Sequence, residues 1–170
     1  MYLNLFSMTP QSRSAIYSVR CQSGVVMVNF SHDDNFLLAS ALDNEITQFL
    51  FMNGQKHLSF DVPKTGLQGN FTRAYYSASG RHVITGACEE STVKLMCTYT
   101  GETLASVDLY PGKRDPSLYI QSLRGSPVHD DSLCVLANYR DLQHRELVME
   151  MRRLGHACRG VVAEAEMLCG

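Results

Sequence analysis

The strongest constraint on this chain is an internal repeat. The same order of short apolar runs and polar turns occurs twice, about 46 residues apart. Ser31 aligns with Ser77 and Gly54 aligns with Gly101, so the spacing changes by a single residue. A turn is predicted at Asp43-Asn44-Glu45, and hairpin turns are predicted at Asn53-Gly54 and Thr100-Gly101. Apolar and β-branched runs of about four to eight residues between turn residues are typical of strands. The predicted strands are 25–30, 36–41, 46–52 and 56–62 in the first copy and 71–76, 82–87, 92–99 and 103–109 in the second.

Looser copies flank these two. A third copy has predicted strands 118–123, 133–138 and 146–152, and the segments 2–8 and 16–21 match the last two strands of a preceding copy. A period of about 40–50 residues with four strands per unit is typical of β-propeller blades. We therefore predict an all-β fold, a partial β-propeller of about three and a half four-stranded antiparallel blades.

The predicted organisation has a tail after the repeats. Residues 161–168 (VVAEAEML) contain helix formers and no turn residues, which favours a short helix or a disordered end. Because the first and last blades are incomplete, we expect a truncated gene product, splice form or fragment whose open edges need missing blades or self-association. The segments are half of a blade (1–24), a blade (25–64), a second blade (65–112), a partial blade (113–154) and a non-propeller tail (155–170).

Two stretches, NFSHDDNFLLASALDNEITQFLFMNG and YYSASGRHVITGACEESTVKLMCTYTG, resemble blades of the WD40 repeat family. The chain departs from that family in having no Trp, with Leu50-Phe51 and Met96-Cys97 at the expected Trp-Asp positions. The family's Gly-His is absent from both copies. The resemblance implies a non-catalytic protein-interaction scaffold whose blades depend on apolar packing. The family's blades contain a buried hydrogen-bond network. Only two of its members have counterparts in this chain, an acidic residue (Asp43 or Glu90) and a hydroxyl residue (Ser40 or Thr85).

Composition limits the classes of partner and compartment. A net charge of −2 and a sequence pI near 6.3 give no basic stripe for nucleic acid. No apolar run approaches the ~18–20 residues of a membrane helix, and no signal peptide precedes the repeats. The six cysteines form no CxxC pair, so we expect reduced thiols, no metal and no cofactor. These features predict a cytoplasmic or nuclear protein that is not secreted.

Two residue groups could carry chemistry. His32-Asp33-Asp34 is echoed by His129-Asp130-Asp131, which could form a metal or acid/base site, but Asp and Asn at this position usually set a turn. Cys97 and His82 could imitate a nucleophile pair, although the sequence shows no group that would activate the thiol. We therefore predict that the protein is not an enzyme.

Charged residues in the loops between strands are the candidates for contacts with other proteins, because loops on a rigid scaffold often bind partners. Met149-Glu150-Met151-Arg152 also resembles the Trp-Asp-x-Arg motif with which some WD40 proteins dock onto cullin-RING ubiquitin ligases. A substrate receptor of such a ligase is therefore the alternative function. The predicted partner-binding residues are Arg73, Glu89, Glu90, Lys113, Arg114, Arg140, Asp141 and Arg152.

Overall fold

A computed structural model describes residues 2–6, 14–90, 92–108, 118–125, 128, 132–139, 147–152 and 165–167. These residues form fourteen β-strands and no helix, which confirms the predicted all-β class. The strands are β1 (Tyr2–Phe6), β2 (Ala15–Arg20), β3 (Val25–Phe30), β4 (Phe36–Ala41), β5 (Ile46–Leu50), β6 (Lys56–Phe60), β7 (Thr72–Tyr76), β8 (His82–Ala87), β9 (Thr92–Cys97), β10 (Thr103–Asp108), β11 (Leu118–Gly125), β12 (Ser132–Tyr139), β13 (Leu147–Arg152) and β14 (Ala165–Met167).

The described strands form three four-stranded antiparallel sheets and one two-stranded sheet, in chain order. Strands β3 to β6, β7 to β10 and β11 to β14 are meanders in which each strand bonds to its sequence neighbours, while β1 bonds to β2. Every strand predicted between residues 25 and 109 is present and begins within one residue of its predicted start. Separate four-stranded meanders in sequence are the architecture of propeller blades, so the predicted fold is confirmed.

Strand β14 corrects the prediction for the tail. A helix or a disordered end was expected over 161–168, but Ala165–Met167 form a strand in which Glu166 pairs with Glu150 of β13. The helix expectation is therefore wrong at these three residues, because the open edge of β13 offers backbone hydrogen bonds that override helix propensity. The segment set apart as a tail contributes the fourth strand of the last sheet.

The turns repeat with the strands. Gly54 and Gly101 have φ angles of 70° and 75°, and their amides donate to Leu50 and Cys97 at 2.8 and 2.9 Å. Positive φ costs glycine little, which explains why both copies have glycine there. The two hairpin turns predicted from Asn53-Gly54 and Thr100-Gly101 are therefore present in equivalent forms.

An apolar core lies between the sheets β3–β6 and β7–β10. Ala74 and Tyr76 of β7 pack against Leu38 and Ile46 of the preceding sheet, and all four side chains are buried. Polar contacts cross the same interface, since Asn29 Nδ2 donates to the Ala74 carbonyl at 2.8 Å. The sheets therefore stack face to face, with β7 against β3 and β4, and β11 against β7 and β8.

A second core lies between β1–β2 and the sheet β3–β6. Val19 and Cys21 are buried with Leu37, Ala39 and Phe49. Burial of these side chains supplies the hydrophobic free energy that attaches the two-stranded sheet to the first complete one.

The strand register corrects one alignment made from sequence. Leu37 pairs with Phe49, and Val83, which is equivalent to Leu37, pairs with Met96. Phe49 therefore corresponds to Met96, and the placement of Leu50 at that position was wrong by one residue. The extra residue of the second copy lies between Ala87 and Val93, so residues of β9 from Val93 onward are shifted by one relative to β5.

Candidate protein-binding face

Turns and sheet-to-sheet connections are interlocked on one side of the sheets. The Leu42 amide donates to the Gly24 carbonyl at 3.0 Å, and the Asp43 amide donates to the Asn70 carbonyl at 2.8 Å. These bonds bring together segments from three sheets, and we call the surface they form the connection face. It consists of the β2–β3 connection (21–24), the β4–β5 turn (42–45), the β6–β7 connection (61–71) and the β8–β9 turn (88–90).

Asp43 holds the β6–β7 connection. Its Oδ1 accepts hydrogen bonds from the Thr65 hydroxyl at 2.6 Å and the Thr65 amide at 2.7 Å, and its Oδ2 accepts one from the Gly66 amide at 2.9 Å. The Thr65 hydroxyl is the largest influence that lowers the pKa of Asp43 below its usual value, and burial acts in the opposite direction. The carboxylate thus replaces the backbone partners that a connection between strands lacks.

Asn44 is a buried polar tie between two sheets. It is 3% exposed, and its amide donates to Thr72 Oγ1 at 2.8 Å. Its Nδ2 donates to the Pro63 carbonyl at 2.8 Å and to Glu90 Oε1 at 3.2 Å. Its φ of 64° is one that Asn tolerates better than most residues. The turn predicted at 43–45 therefore has an additional role in joining neighbouring sheets.

Glu45 extends the same network toward the preceding sheet. Its carboxylate accepts hydrogen bonds from the Gln22 amide at 2.9 Å and the Ser23 amide at 2.7 Å, and also from the Ser23 hydroxyl. Burial raises the pKa of Glu45, but the hydrogen bonds from Ser23 and Gln22 outweigh it and leave that pKa lowered. A single turn thus holds the connections on both of its sides.

Two predicted partner-binding residues, Glu89 and Glu90, lie on this face. Their side chains are half-buried in the β8–β9 turn, at the positions that Asp43 and Asn44 occupy in the previous sheet. The Glu89 amide donates to Asn70 Oδ1 at 3.0 Å, and Glu90 receives the bond from Asn44 described above. The structure therefore brings these two glutamates together with the β6–β7 connection.

The sequence analysis missed two apolar side chains on the connection face. Leu67 and Phe71 are 49% and 48% exposed. Phe71 lies beside the β8–β9 turn, since its amide donates to Cys88 Sγ at 3.1 Å and its carbonyl accepts from the Cys88 amide at 3.3 Å. Leu67 lies in a segment predicted to connect strands, and Phe71 begins a predicted strand. Their apolar character was the available signal, but exposure depends on packing that a sequence does not show.

Two further predicted residues, which the structure describes, lie outside the segments that form this face. Arg73 lies on β7, and its Nη1 donates to the Ile120 carbonyl of the next sheet at 3.5 Å. Arg152 is the last residue of β13. Contact of either arginine with a partner stays a prediction. The remaining candidates, which lie outside the described residues, are Lys113, Arg114, Arg140 and Asp141.

The His32-Asp33-Asp34 segment forms a turn. Asp33 accepts hydrogen bonds from the Ser31 hydroxyl at 2.6 Å and the Asn35 amide at 3.1 Å, and the Ser31 hydroxyl most strongly lowers the pKa of Asp33. The part of the chain that the structure describes contains no cluster of three His, Cys, Asp or Glu residues that could hold a metal. The segment 129–131, predicted to echo this turn, lies outside the described residues.

His82 of β8 and Cys97 of β9 lie directly opposite each other in the sheet, as the suggested nucleophile pair requires. The Thr100 hydroxyl lowers the pKa of the Cys97 thiol, with help from the Thr100 and Tyr99 amides. The hydrogen bonds that lower the pKa of the Cys97 thiol therefore come from the turn that follows β9. Sequence analysis did not identify this turn as an activating group.

The chain is similar in sequence to a plant protein and similar in structure to two solved structures. It is 42% identical over 124 residues to "Protein DWD HYPERSENSITIVE TO UV-B 1" of Arabidopsis thaliana, an alignment that covers 72% of this chain but only 16% of that protein. The crystal structure of the Myceliophteria thermophila Cps50 (Swd1) β-propeller domain matches 91% of this chain and 41% of that one, with a TM-score of 0.67 and 14% identity.

A chain of the Mitotic Checkpoint Complex crystal structure is similar to a comparable extent. The match covers 88% of this chain and 42% of that chain, with a TM-score of 0.63 and 14% identity. No protein-family model matches the sequence. With these coverages, the chain spans less than half the length of each protein compared.

Within the described ranges, no helix has the length and apolar character needed to cross a membrane.

Proposed function

Because this chain forms part of a WD40-type β-propeller, we propose that it is a non-catalytic protein-binding scaffold whose partners contact the connection face. The observation that supports this most directly is the β6–β7 connection. Asp43 and Asn44 hold its backbone at Pro63, Thr65 and Gly66. A connection fixed in this way loses little conformational entropy when a partner binds.

The fixed connection presents apolar side chains beside acidic ones. Leu67 and Phe71 are each about half exposed, and Glu89 Oε1 lies 4.0 Å from the position of a Cβ on Gly69. An exposed aromatic ring in a rigid loop, surrounded by polar groups, is a common centre of binding energy. The adjacent carboxylates favour a partner segment that is apolar at its centre and basic at its rim.

The non-catalytic part of the proposal is supported by how the polar groups of this face are used. Asp43, Asn44 and Glu45 make hydrogen bonds to backbone atoms that join the sheets. A carboxylate that caps a connection in this way is held by its donors and does not transfer protons readily. These groups therefore stabilise a surface on which partners assemble.

Affinity capture with matched variants tests the proposed face. Leu67→Glu and Phe71→Glu should each lose most of the proteins captured from lysate by the parent chain. Leu104→Glu is the matched control, because Leu104 is 51% exposed on β10 and Leu67 is 49% exposed on the connection. Quantitative mass spectrometry measures the captured set, and circular dichroism verifies that each variant folds. Equal capture by all three variants would remove the connection face from the proposal.

The alternative function, substrate recruitment to a cullin-RING ubiquitin ligase, is supported by the place of the motif-like segment in the last sheet. Met149 to Arg152 lie in β13, which is the third strand of its sheet as β9 is of the sheet before it. Met149 takes the place of the motif's Trp, and Arg152 follows three residues later as in the docking motif. An Arg152→Ala variant should lose co-purification of a cullin complex, whereas Arg20→Ala, at an exposed arginine of β2, should retain it.

We further propose a cytoplasmic or nuclear location and the covering of open strand edges by further blades or by self-association. Among the described residues, Cys21, Cys88 and Cys97 form no disulfide, which supports a reducing compartment. Fluorescence microscopy of the tagged chain tests the location, and light scattering at tens of micromolar, roughly the range in which unpaired edges associate, tests the edges. A secreted chain would contradict the first statement, and a stable monomer without a partner would contradict the second.

A further inference from the structure

Two arginines lie on the first strands of neighbouring sheets. Arg73 of β7 is half-buried and Arg124 of β11 is exposed. The first strands β3, β7 and β11 contact one another in series. Because the blades of a propeller surround a central channel, strands that contact their equivalents in the next blade lie closest to it. The two arginines are therefore near the channel side of the sheets β7–β10 and β11–β14.

Arg73 lies on the face of β7 that is turned toward β11. Its partner in the sheet is Gly86 of β8, and a Cβ on Gly86 would lie 2.9 Å from Ile120 Cδ1 of β11. Residues directly opposite each other in an antiparallel pair share a face. Arg73 Nη1 donates to the Ile120 carbonyl at 3.5 Å, which is long for such a bond. This weak hydrogen bond occupies one of the five N–H donors of the guanidinium group.

Arg124 approaches the same face of β7 from the other sheet. Its guanidinium carbon lies 4.6 Å from the centroid of the Tyr75 ring. A cation over an aromatic ring is attracted to the negative face of the ring, so Arg124 is held there without a hydrogen-bond acceptor. The N–H groups of Arg124 therefore remain donors for another group.

The spacing of the two arginines suits one shared ligand. Arg73 and Tyr75 are two residues apart on one strand, so they share a face and their Cα atoms are about 7 Å apart. Arg124 lies over Tyr75, which places its charge at the Tyr75 end of this interval. A phosphate that accepts hydrogen bonds of about 2.8 Å on opposite sides spans a similar gap.

Within the described part of the chain, no carboxylate pairs with either arginine. The carboxylates of Asp43 and Glu45, in contrast, are occupied by backbone amides of the connection face. Two like charges at a sheet interface repel each other and are partly removed from water, which costs free energy. An anion bound between Arg73 and Arg124 would supply hydrogen-bond acceptors to both and lower that cost.

We propose that Arg73 and Arg124 bind the phosphate group of a phosphorylated serine or threonine side chain in a partner polypeptide. Both guanidinium groups donate to the phosphate oxygens, and Tyr75 positions Arg124. A phosphate carries about −1.5 to −2 charges at neutral pH, which matches two guanidinium groups, whereas a carboxylate balances only one of them. The proposal rests on the proposed protein-binding function but not on the connection face.

A peptide fits this site better than a nucleic acid does. Nucleic acids present a row of phosphates and are bound by many lysines and arginines, which form a basic surface. This chain has a net charge of −2, and the site combines two arginines. A single phosphate on a polypeptide therefore matches the site in its number of charges.

Binding to peptide mixtures tests the proposal. The probes are degenerate peptides with a central phosphothreonine, threonine or glutamate and mixed residues on both sides. The full chain should retain the phosphothreonine peptides about tenfold more than the threonine peptides, and also more than the glutamate peptides. Arg73→Gln and Arg124→Gln should each remove most of this preference, since each variant loses one charged donor group. Arg20→Gln, at an exposed arginine of β2, should keep the preference.

Two controls separate this site from the fold and from the connection face. Unfolding midpoints of the glutamine variants that match the parent's show that a loss of binding is not a loss of fold. Leu67→Glu, which should lose the partners of the connection face, should keep the preference for phosphothreonine. The two proposed binding surfaces can therefore fail separately.

Three kinds of result would overturn the proposal. Equal retention of phosphothreonine and threonine peptides by the parent would show that the phosphate is not recognised. An unchanged preference in both glutamine variants would place recognition elsewhere on the chain. Stronger retention of glutamate peptides, or stronger competition by single-stranded RNA than by the phosphothreonine peptides, would assign the site to another ligand.

Discussion

The sheets β3–β6 and β7–β10 have equivalent backbones but different side chains at the positions that join them to their neighbours. Asp34 and Gly80 both have positive φ, at 55° and 72°, in the turns after their first strands. Gly54 and Gly101 correspond in the hairpins that precede the fourth strands. The comparison shows that turn geometry is repeated, whereas each interface is stabilised by its own residues.

The largest expected difference concerns the two hairpin glycines. Alanine at either position is strained by the positive φ, which costs about 1 kcal/mol. At Gly54 the new Cβ would also lie 2.5 Å from Tyr17, whereas at Gly101 it would lie 3.3 Å from Leu58. We expect Gly54→Ala to lower the free energy of unfolding by about 3 kcal/mol and Gly101→Ala by about 1 kcal/mol. Urea denaturation of both variants measures the difference, and equal losses would mean that β2 moves away freely.

The next difference concerns the β4–β5 and β8–β9 turns. Asn44 is buried and joins Thr72, Pro63 and Glu90, whereas Glu90, at the equivalent position, is half-buried. Removal of the Asn44 side chain leaves the Pro63 carbonyl without its donor. We expect Asn44→Ala to cost about 2 kcal/mol of stability and Glu90→Ala about 0.5 kcal/mol. Thermal unfolding tests the order, and a larger loss for Glu90→Ala would reverse our assignment of the buried tie.

The smallest expected effect is the dependence of stability on pH at Asp43. Because hydrogen bonds lower the folded-state pKa of Asp43, its contribution is present above the unfolded pKa of about 3.9 and is lost as pH falls through the folded value. We expect Asp43→Asn to show a smaller drop in unfolding midpoint than the parent between about pH 5 and about pH 3. Asp61→Asn, at an exposed residue after β6, controls for the loss of one negative charge. Identical slopes for the parent and Asp43→Asn would contradict this role.

Much of the fold could be predicted because turn residues and strand runs act locally. The turn at 43–45 followed from Asp and Asn, and the hairpin at Gly54 followed from Asn-Gly, as both are found in the structure. Strand β14 could not be predicted in this way, because Ala165–Met167 have helix formers and bond to β13 only in the assembled sheet. Local propensity is a weak guide where a partner edge is available.

The candidate site was predictable in part. Glu89 and Glu90 were identified as polar residues of a turn, and they lie beside the β6–β7 connection. Arg73 was grouped with them as a charged residue, but its guanidinium contacts the Ile120 carbonyl of the next sheet. Phe71 was assigned to a strand and was not considered for binding, yet its ring is about half exposed. Whether such a side chain is covered depends on which sheet faces it.

The sequence by itself determined the repeated unit, because alternating strands and turns are set by residues close in the chain. The order of the four strands within each unit also follows, since short turns allow only adjacent strands to pair. The tertiary structure decided which equivalent positions are buried. Tyr76 is covered by the sheet before it, whereas Phe30 is 51% exposed. The physical reason is that burial is a property of two packed surfaces, and a single repeat specifies only one of them.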